Sequence, residues 1–386
     1  MSKKKKTNKK NNKQKKVLNT KTIENQIKQN SFNFKKILTL FLISRILVII
    51  FIIIKHDYSI FEFFDSEHYL NMAEFGYVEP KLYAFFPLYP ILIKLFTFII
   101  PSYQISGFLI SNIASFISIL ILTEMTKDKG NFWIIICFIF SPILGYTSLV
   151  YTESLFILLT LLGYYLYKKD KYILSAIVVG LSILTRNSGI ILWGAIGLDM
   201  LYRFFSKKDK PIKFKNIVVF GLIALLIGMI YPIYLYIETG EFLKFASVQT
   251  DYWYRSTGTP IHNFLSDIIV LKRGGPELPM NIILFLQNWI SFMFAFIIGI
   301  KIYKKDKTAS IYTIVSLIAF TITYRNVEYW RPLASISLFR YVLGLFPVYL
   351  YLSDNKKEST TKIIYLIFML LSIFNAITIY SGGFMG

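Results

Sequence analysis

The feature that most limits what this chain can become is a series of apolar runs separated by short polar joints. About 18–20 apolar residues cross the hydrocarbon of a bilayer, and shorter half-helices occur where a bundle interior is polar. Runs of this kind fall near 37–54, 107–123, 132–150, 154–167, 172–185, 189–202, 216–237, 280–301, 308–324, 338–352 and 362–381. They predict an all-α polytopic membrane protein of about eleven crossings. Hydrophobic residues make up 55% and charged residues 17% of the 386, with a mean hydropathy of +0.52. A soluble domain runs roughly half apolar and a quarter charged, so the balance of the whole chain excludes a soluble enzyme or a wholly disordered protein. The net charge of +21 would suit a nucleic-acid partner, but not beside these uncharged stretches, so none is expected. Cys137, the lone cysteine, excludes an internal disulfide framework and a cysteine-based metal site.

Charge orients the layout. Residues 1–36 carry 13 lysines among Asn, Gln and Thr, and read as a basic, disordered cytoplasmic tail against anionic lipid. The basic region is too long for a cleavable signal peptide, and no small-residue cleavage site follows the first apolar run. Residues 37–386 read as one membrane-embedded domain. With the N-terminus inside, 31 of the 43 Lys and Arg fall on the tail and inner loops and 11 on outer segments. That asymmetry is what the positive-inside tendency requires. The run 85–100 carries Pro87, Pro90 and Lys94 and reads as an interfacial or re-entrant helix, since an extra crossing there would invert every later loop. Two long outer segments result, 55–106 and 238–279.

The polar chemistry collects on those outer segments and at outer span ends. Asp65 opens a helix-compatible run that closes at Gly76, which predicts a short helix with an N-cap and a C-terminal glycine. Helical spacing puts Asp65, His68, Tyr69 and Met72 on one face and Glu67 and Glu74 away from it. Asp65 is then either a cap or a reactive carboxylate. A metal site on Asp65, Glu67 and His68 is disfavoured, because the helix separates Glu67 from the others and no fourth ligand is evident. Glu153, Arg186, Arg331 and Arg340 lie where a charge costs several kcal/mol unless paired or wetted. They are functional, or paired with one another as Glu153 and Arg186 could be. Arg45, inside the first span, is expected to face the bundle.

Phe64-Asp65-Ser66-Glu67-His68-Tyr69, then Ala73 and Gly76-Tyr77, then Ala84-Phe85-Phe86-Pro87-Leu88-Tyr89-Pro90 resemble the GPI mannosyltransferase 2 family of the GT-C superfamily. Tyr151-Thr152-Glu153-Ser154-Leu155-Phe156 and Leu184-Thr185-Arg186-Asn187-Ser188-Gly189 follow in order, and Gln249, Tyr252-Trp253, Pro260 and Asn263-Phe264 fit loosely. Phe64 stands where the family has tryptophan, and the ending Leu338-Phe339-Arg340-Tyr341 with Leu345-Phe346-Pro347 is similar to prokaryotic members. The resemblance implies a GT-C-type fold, a lipid-phosphate sugar donor, and a catalytic aspartate in the first outer loop, where Asp65 falls by topology.

On that reading a polyprenyl- or dolichyl-phosphate mannose is the donor and a lipid-linked glycan the acceptor, a GPI precursor if the cell is eukaryotic. A glycosidase needs two carboxyl groups, but a phosphate leaves as a stable anion, so one carboxylate base suffices. That base is Asp65. Arg186, Arg331 and Arg340 are expected to meet the phosphate, with Arg255 a weaker candidate, because guanidinium binds phosphate bidentately. Glu153 would orient an arginine or bind sugar hydroxyls. His68 and Tyr69 would line the acceptor side, and Tyr252 and Trp253 would offer flat faces for sugar or isoprenoid. No glycine-rich nucleotide loop appears, and no cofactor or metal is expected. Membrane lipids and an accessory membrane subunit are the further partners considered. The location is the endoplasmic reticulum membrane in a eukaryote and the cell membrane in a prokaryote. A transporter or flippase of a lipid-linked sugar, or a scaffold subunit, would share the spans, but no internal repeat of broken helices is present.

Overall fold

The computed structural model describes residues 34–50, 53, 64–127, 132–206, 211–326, 333–335, 337–352 and 358–380. The basic tail 1–33, the segment 54–63, Arg331 and the last six residues lie outside them. The chain divides into two units, Met1–Leu47 and Val48–Gly386. The described part of the first belongs to helix α1 (34–50). There the Ser44 hydroxyl donates to the Phe41 carbonyl at 2.6 Å, and the Arg45 guanidinium lies 4.4 Å from the Phe41 ring centroid.

The second unit is helical almost throughout. Its segment 64–106 holds α2 (Asp65–Phe75), a 3₁₀ turn (Pro80–Ala84) and α3 (Leu88–Thr97). Then come α4 (Tyr103–Thr126), α5 (Trp133–Ile139), α6 (Glu153–Lys168), α7 (Tyr172–Thr185), α8 (Gly189–Ser206), α9 (Phe214–Gly228) and α10 (Ile230–Thr239). The segment 240–277 supplies α11 (Lys244–Asp251), strand β1 (Arg255–Thr257) and α12 (Pro260–Arg273). The chain ends with α13 (Leu278–Ile302), α14 (Lys307–Ile322), β2 (Thr323–Arg325), α15 (Leu338–Leu343), α16 (Phe346–Leu352) and α17 (Glu358–Tyr380).

Among the described residues α4, α8, the α9–α10 run and α13 are long and apolar enough to cross a membrane. This is a helical membrane protein. On α9–α10, Leu222, Leu226, Ile230, Ile233 and Ile237 are exposed, as a lipid-facing stripe requires. The opposite faces pack: α6 against α4 and α7, α7 against α9, and α14 against α13 and α8. Small residues permit the closest approaches. A Cβ on Gly180 would lie 2.7 Å from the Ile227 Cβ, so α7 and α9 could not meet with any larger residue there.

Two expected spans are broken. The run 132–150 is helical only over Trp133–Ile139, because Ser141-Pro142 and Gly145 turn the chain through 140–150. The run 338–352 divides at Gly344-Leu345 into α15 and α16. Irregular backbone inside a membrane protein must find partners within the protein. Asn112 donates to the Ser148 carbonyl at 2.9 Å, Ser372 to Phe140 at 2.7 Å and Asn375 to Pro142 at 2.9 Å. The Tyr349 hydroxyl donates to Ser141 at 3.2 Å. These buried polar side chains make the break tolerable, and the break delivers Tyr146, Tyr151 and Glu153 into the interior.

At the C-terminal end of α6, Tyr164 donates to Asp306 and Lys168 pairs with it at 3.0 Å, while Asp306 caps α14 at the Ala309 amide. Tyr167 donates to Asp199, and Arg203 donates to the Tyr167 hydroxyl at 3.1 Å. These bonds tie α6 to α8 and α14. Beyond the helices, β1 and β2 pair antiparallel as a two-stranded ribbon, with Arg255 opposite Arg325 and Thr257 opposite Thr323.

Candidate active site

A cavity of about 940 Å³ opens where α2, α7, the α9–α10 junction, α11, the ribbon and α15 converge. One end is charged, lined by Asp65, Arg186, Arg255, Arg325 and Arg340. The wall leading away is apolar, made by Ile183, Ile190, Ile191, Leu225, Met229 and Pro232. The lining is therefore amphipathic.

Local sequence explains how the charged end is built. Asp65 is the first residue of α2, and Phe64 before it sits at φ 53°, a half of the backbone map that non-glycine residues rarely occupy. No side-chain hydrogen bond caps this helix at its N-cap residue, Phe64, whereas Gly76 closes it at φ 79° as expected. The N-cap reading of Asp65 thus gives way to a tertiary role. Its Oδ2 accepts from Arg340 Nη2 at 2.9 Å. The same Arg340 places Nε 3.0 Å from Glu153 Oε1, and that oxygen accepts from Arg186 Nη1 at 2.7 Å. The expected Glu153–Arg186 pair is therefore present, as one link of a chain Asp65–Arg340–Glu153–Arg186. Two carboxylates and two guanidiniums cancel. The Glu153 and Arg340 side chains are each 5% exposed, Arg186 is 20% and Asp65 27% exposed, so of the two carboxylates only the aspartate is accessible from the cavity.

Aromatic rings complete the enclosure. The Arg340 guanidinium lies 4.8 Å from the Tyr146 ring and 5.1 Å from Tyr341, and Arg186 lies 4.7 Å from Tyr341. The Tyr69 hydroxyl lies 3.3 Å from Thr152 Oγ1, which also accepts from Arg186. A sharp turn carries Arg186 from α7 to α8. A Cβ on Gly189 would lie 2.6 Å from the Ile183 amide nitrogen, so only glycine fits.

His68 and Tyr69 line the cavity on the same helix face as Asp65, and Glu67 and Glu74 point away. Trp253 also lines it, its Nε1 donating to the Lys81 carbonyl at 3.3 Å and its ring 5.3 Å from His68. Phe85 closes this group at 5.1 Å from His68 and 5.4 Å from Trp253. Tyr252 is exposed and does not line the cavity. Arg331 falls outside the described residues. Among the described residues, no cluster of His, Cys, Asp and Glu could hold a metal ion. Sequence reasoning missed Arg325 and Tyr341. The β-branched and aromatic run Thr323-Tyr324-Arg325 hints at a strand, but its partner across the ribbon is remote in sequence.

Burial pushes the Asp65 carboxyl up, but the Arg340 guanidinium and, more weakly, Arg186 and His68 outweigh it and hold the group below the usual carboxylate range. Burial likewise lowers His68, more than Asp65 raises it, so the imidazole is neutral at pH 7. Burial and then Arg255 pull Arg325 down to about 10.

An amphipathic cavity in a helical membrane protein, with one accessible carboxylate held in a neutral ion-pair chain, has the makings of a membrane glycosyltransferase. Residues 55–268 match the family model of the mannosyltransferases (PIG-V), and the chain belongs to that family. The matched stretch covers α2 through most of α12 and so includes Asp65, Glu153, Arg186 and Arg255, while Arg325 and Arg340 lie beyond it. No curated protein and no solved structure matches the chain.

Proposed function

We propose that this mannosyltransferase moves mannose from a polyprenyl- or dolichyl-phosphate donor to a hydroxyl of a lipid-linked glycan on the outer side of the membrane. The single observation that carries the reading is the placing of Asp65 at the charged end of a cavity whose other wall is apolar. A prenyl chain fits the wall of Ile183, Ile190, Ile191, Leu225 and Met229, which sets its sugar-phosphate against the charged end.

The chemistry follows from the balance of one displacement. The acceptor oxygen forms a bond to the anomeric carbon from the face opposite the phosphate, and the carbon–oxygen bond to phosphate breaks with inversion. The electron pair leaves with the phosphate, which is a stable anion and needs no proton. The acceptor hydroxyl becomes strongly acidic as its new bond forms, so a carboxylate of low basicity can take the proton, and Asp65 is that base. Arg340 at 2.9 Å keeps Asp65 ionised and aimed. His68, neutral, and Tyr69 flank the acceptor side, while Trp253 and Phe85 offer apolar ring faces to the sugar. Glu153 and Arg186 act from behind by fixing Arg340. If the cell is eukaryotic, the outer side is the endoplasmic reticulum lumen and the acceptor a GPI precursor. If prokaryotic, it is the cell exterior and another lipid-linked glycan.

The test is transfer of labelled mannose from polyprenyl-phosphate mannose to a panel of lipid-linked acceptors by purified protein. Asp65→Asn, which keeps the shape and removes the base, is expected to lower turnover by about 10²–10⁴-fold with the folded protein retained. Turnover within a few-fold of wild type would overturn the assignment of the base. Absence of transfer by wild type across the whole panel would overturn the donor.

A further inference from the structure

One turn of the chain brings two hydroxyl groups to the charged end of the cavity with no protein partner for their protons. Ser337, Arg340 and Tyr341 all line the cavity, and their spacing of three and four residues sets them on one face of α15 and the residue before it. Tyr341 Oη accepts from Arg340 Nη2 at 3.2 Å, and the same nitrogen donates to Asp65 Oδ2 at 2.9 Å. That contact uses the tyrosine oxygen as an acceptor and leaves its proton to offer. Among the described residues no group accepts that proton, and none bonds the Ser337 hydroxyl.

Ser337 is only 5% exposed, so its hydroxyl is not one that bulk water satisfies at a surface. Burying a hydroxyl without a partner is unfavourable. The backbone adds to the cost. Ser337 sits at φ 68° and ψ 3°, in the left-handed region that non-glycine residues seldom occupy. The chain around it imposes this conformation. Asn288 Nδ2 donates to the Ser335 carbonyl at 3.0 Å, the Leu338 amide donates to the same carbonyl at 3.0 Å, and the Tyr341 amide donates to the Ser337 carbonyl at 3.3 Å. Glycine would take this conformation without strain, and what serine has that glycine lacks is the hydroxyl.

The surroundings decide what these protons meet. The Arg340 guanidinium lies 5.1 Å and that of Arg186 4.7 Å from the Tyr341 ring, and nearby cations make a phenol a stronger donor. Two hydroxyl donors beside two guanidiniums favour an oxygen that only accepts and carries negative charge. The donors are side chains, and the amides of so short a helix play no part. The apolar wall of the same cavity specifies what that oxyanion carries.

We propose that the Ser337 and Tyr341 hydroxyls hold the phosphate of a prenyl-phosphate donor, a role that rests on the donor reading above. When the carbon–oxygen bond breaks, its electron pair stays on a phosphate oxygen. Both hydroxyls meet that charge by hydrogen bonding, with no proton transferred. Arg340 donates to Asp65 and to Tyr341 through one nitrogen, and so ties the base to the leaving-group site.

Binding tests this without any sugar transfer. Full-length protein in nanodiscs of neutral phosphatidylcholine is titrated with farnesyl phosphate, farnesol and inorganic phosphate, with thermal stabilisation as the signal. Wild type is expected to bind farnesyl phosphate well ahead of farnesol or inorganic phosphate. Tyr341→Phe, which keeps the ring against both guanidiniums, should weaken farnesyl phosphate by about 10-fold, as loss of a charge-assisted hydrogen bond does. Ser337→Ala, which keeps the strain, and Ser337→Gly, which relieves it, should each weaken it by a similar factor. Farnesol should be unaffected by all three. Ser337→Gly should also raise the melting temperature of the unliganded protein, a split that a merely structural serine would not give. That variant keeps the test alive if Tyr341→Phe fails to fold. The proposal falls if either Tyr341→Phe or Ser337→Gly binds farnesyl phosphate within two-fold of wild type, or loses farnesol equally. It falls too if inorganic phosphate matches farnesyl phosphate, since the site would then hold a free anion. A rise in KM for polyprenyl-phosphate mannose with farnesyl phosphate binding untouched would also overturn it, because the hydroxyls would then read the sugar. Hydroxyl-dependent binding with no mannose transfer would keep the site and discard the transfer reaction.

Discussion

At the scale of single residues, Arg340 decides how Asp65 behaves. Burial alone would raise that carboxyl, and the guanidinium at 2.9 Å reverses the sign. A carboxyl held below its unfolded value contributes stability that is present above about pH 4 and is lost as pH falls through the folded value. Wild-type kcat/KM should accordingly stay flat into the acid range as far as Asp65 controls it. In Arg340→Gln the chief force that holds the carboxyl down is gone, and the acid limb should move to higher pH. An unmoved limb in a folded, active variant would detach Asp65 from the rate. Glu153 is a different case, because its Oε1 is shared between Arg186 and Arg340 with only 5% of the side chain exposed. Glu153→Ala leaves two guanidiniums facing each other and should destabilise the fold by about 3–5 kcal/mol. Thermal inactivation in detergent reads that loss. The candidates were legible in sequence, Asp65 as a carboxylate in the first long loop and Arg186 and Arg340 as charges at span ends. Their order in one ion-pair chain was not, because Arg340 lies far along the chain from its partners.

At the scale of elements, the breaks matter more than the helices. Ser141-Pro142 and Gly145 were visible inside the apolar run 132–150, yet hydropathy averages over such residues and reads a continuous span. The stop becomes tolerable through Asn112, Ser372 and Asn375, which bond the freed backbone and come from remote helices. The approach to α15 is held in a similar way. Asp267, fully buried on α12, accepts from the Ser335 amide at 3.0 Å, the Ser335 hydroxyl and Trp289 Nε1 at 2.8 Å, and Asn288 accepts from the Phe339 amide at 2.9 Å. These bonds aim the short helix that carries Arg340, although neither side chain lines the cavity. Burial raises the Asp267 carboxyl, and the three donors offset part of that cost. Asp267→Ala should lower stability by about 1–3 kcal/mol for the orphaned donors and lower kcat more than it changes the KM for donor. Thermal denaturation with steady-state kinetics checks both, and a variant with wild-type kcat would show that α15 is held by other means.

At the scale of the whole molecule, the membrane sets the terms. The charge asymmetry predicts that Lys272 lies on the outer side and Lys305 on the inner side. In a Cys137→Ser background, Lys272→Cys and Lys305→Cys should be labelled by an impermeant maleimide from opposite sides of sealed vesicles. Labelling of both from one side would invert the layout and move Asp65 with it. Cys137 itself is fully buried, so wild-type protein should stay unlabelled until denatured. The sequence by itself determined the class of molecule: apolar runs too long for a soluble core, basic joints, and a first long loop whose Asp65, His68 and Tyr69 share a helix face. Those are local properties, set by composition and by the 3.6-residue period. Only the tertiary structure decided which charges neutralise one another, that Arg255 and Arg325 meet across a ribbon, and that an apolar wall leads to them. Such contacts join residues from opposite parts of the chain, and their energies depend on burial and distance, which no local pattern encodes.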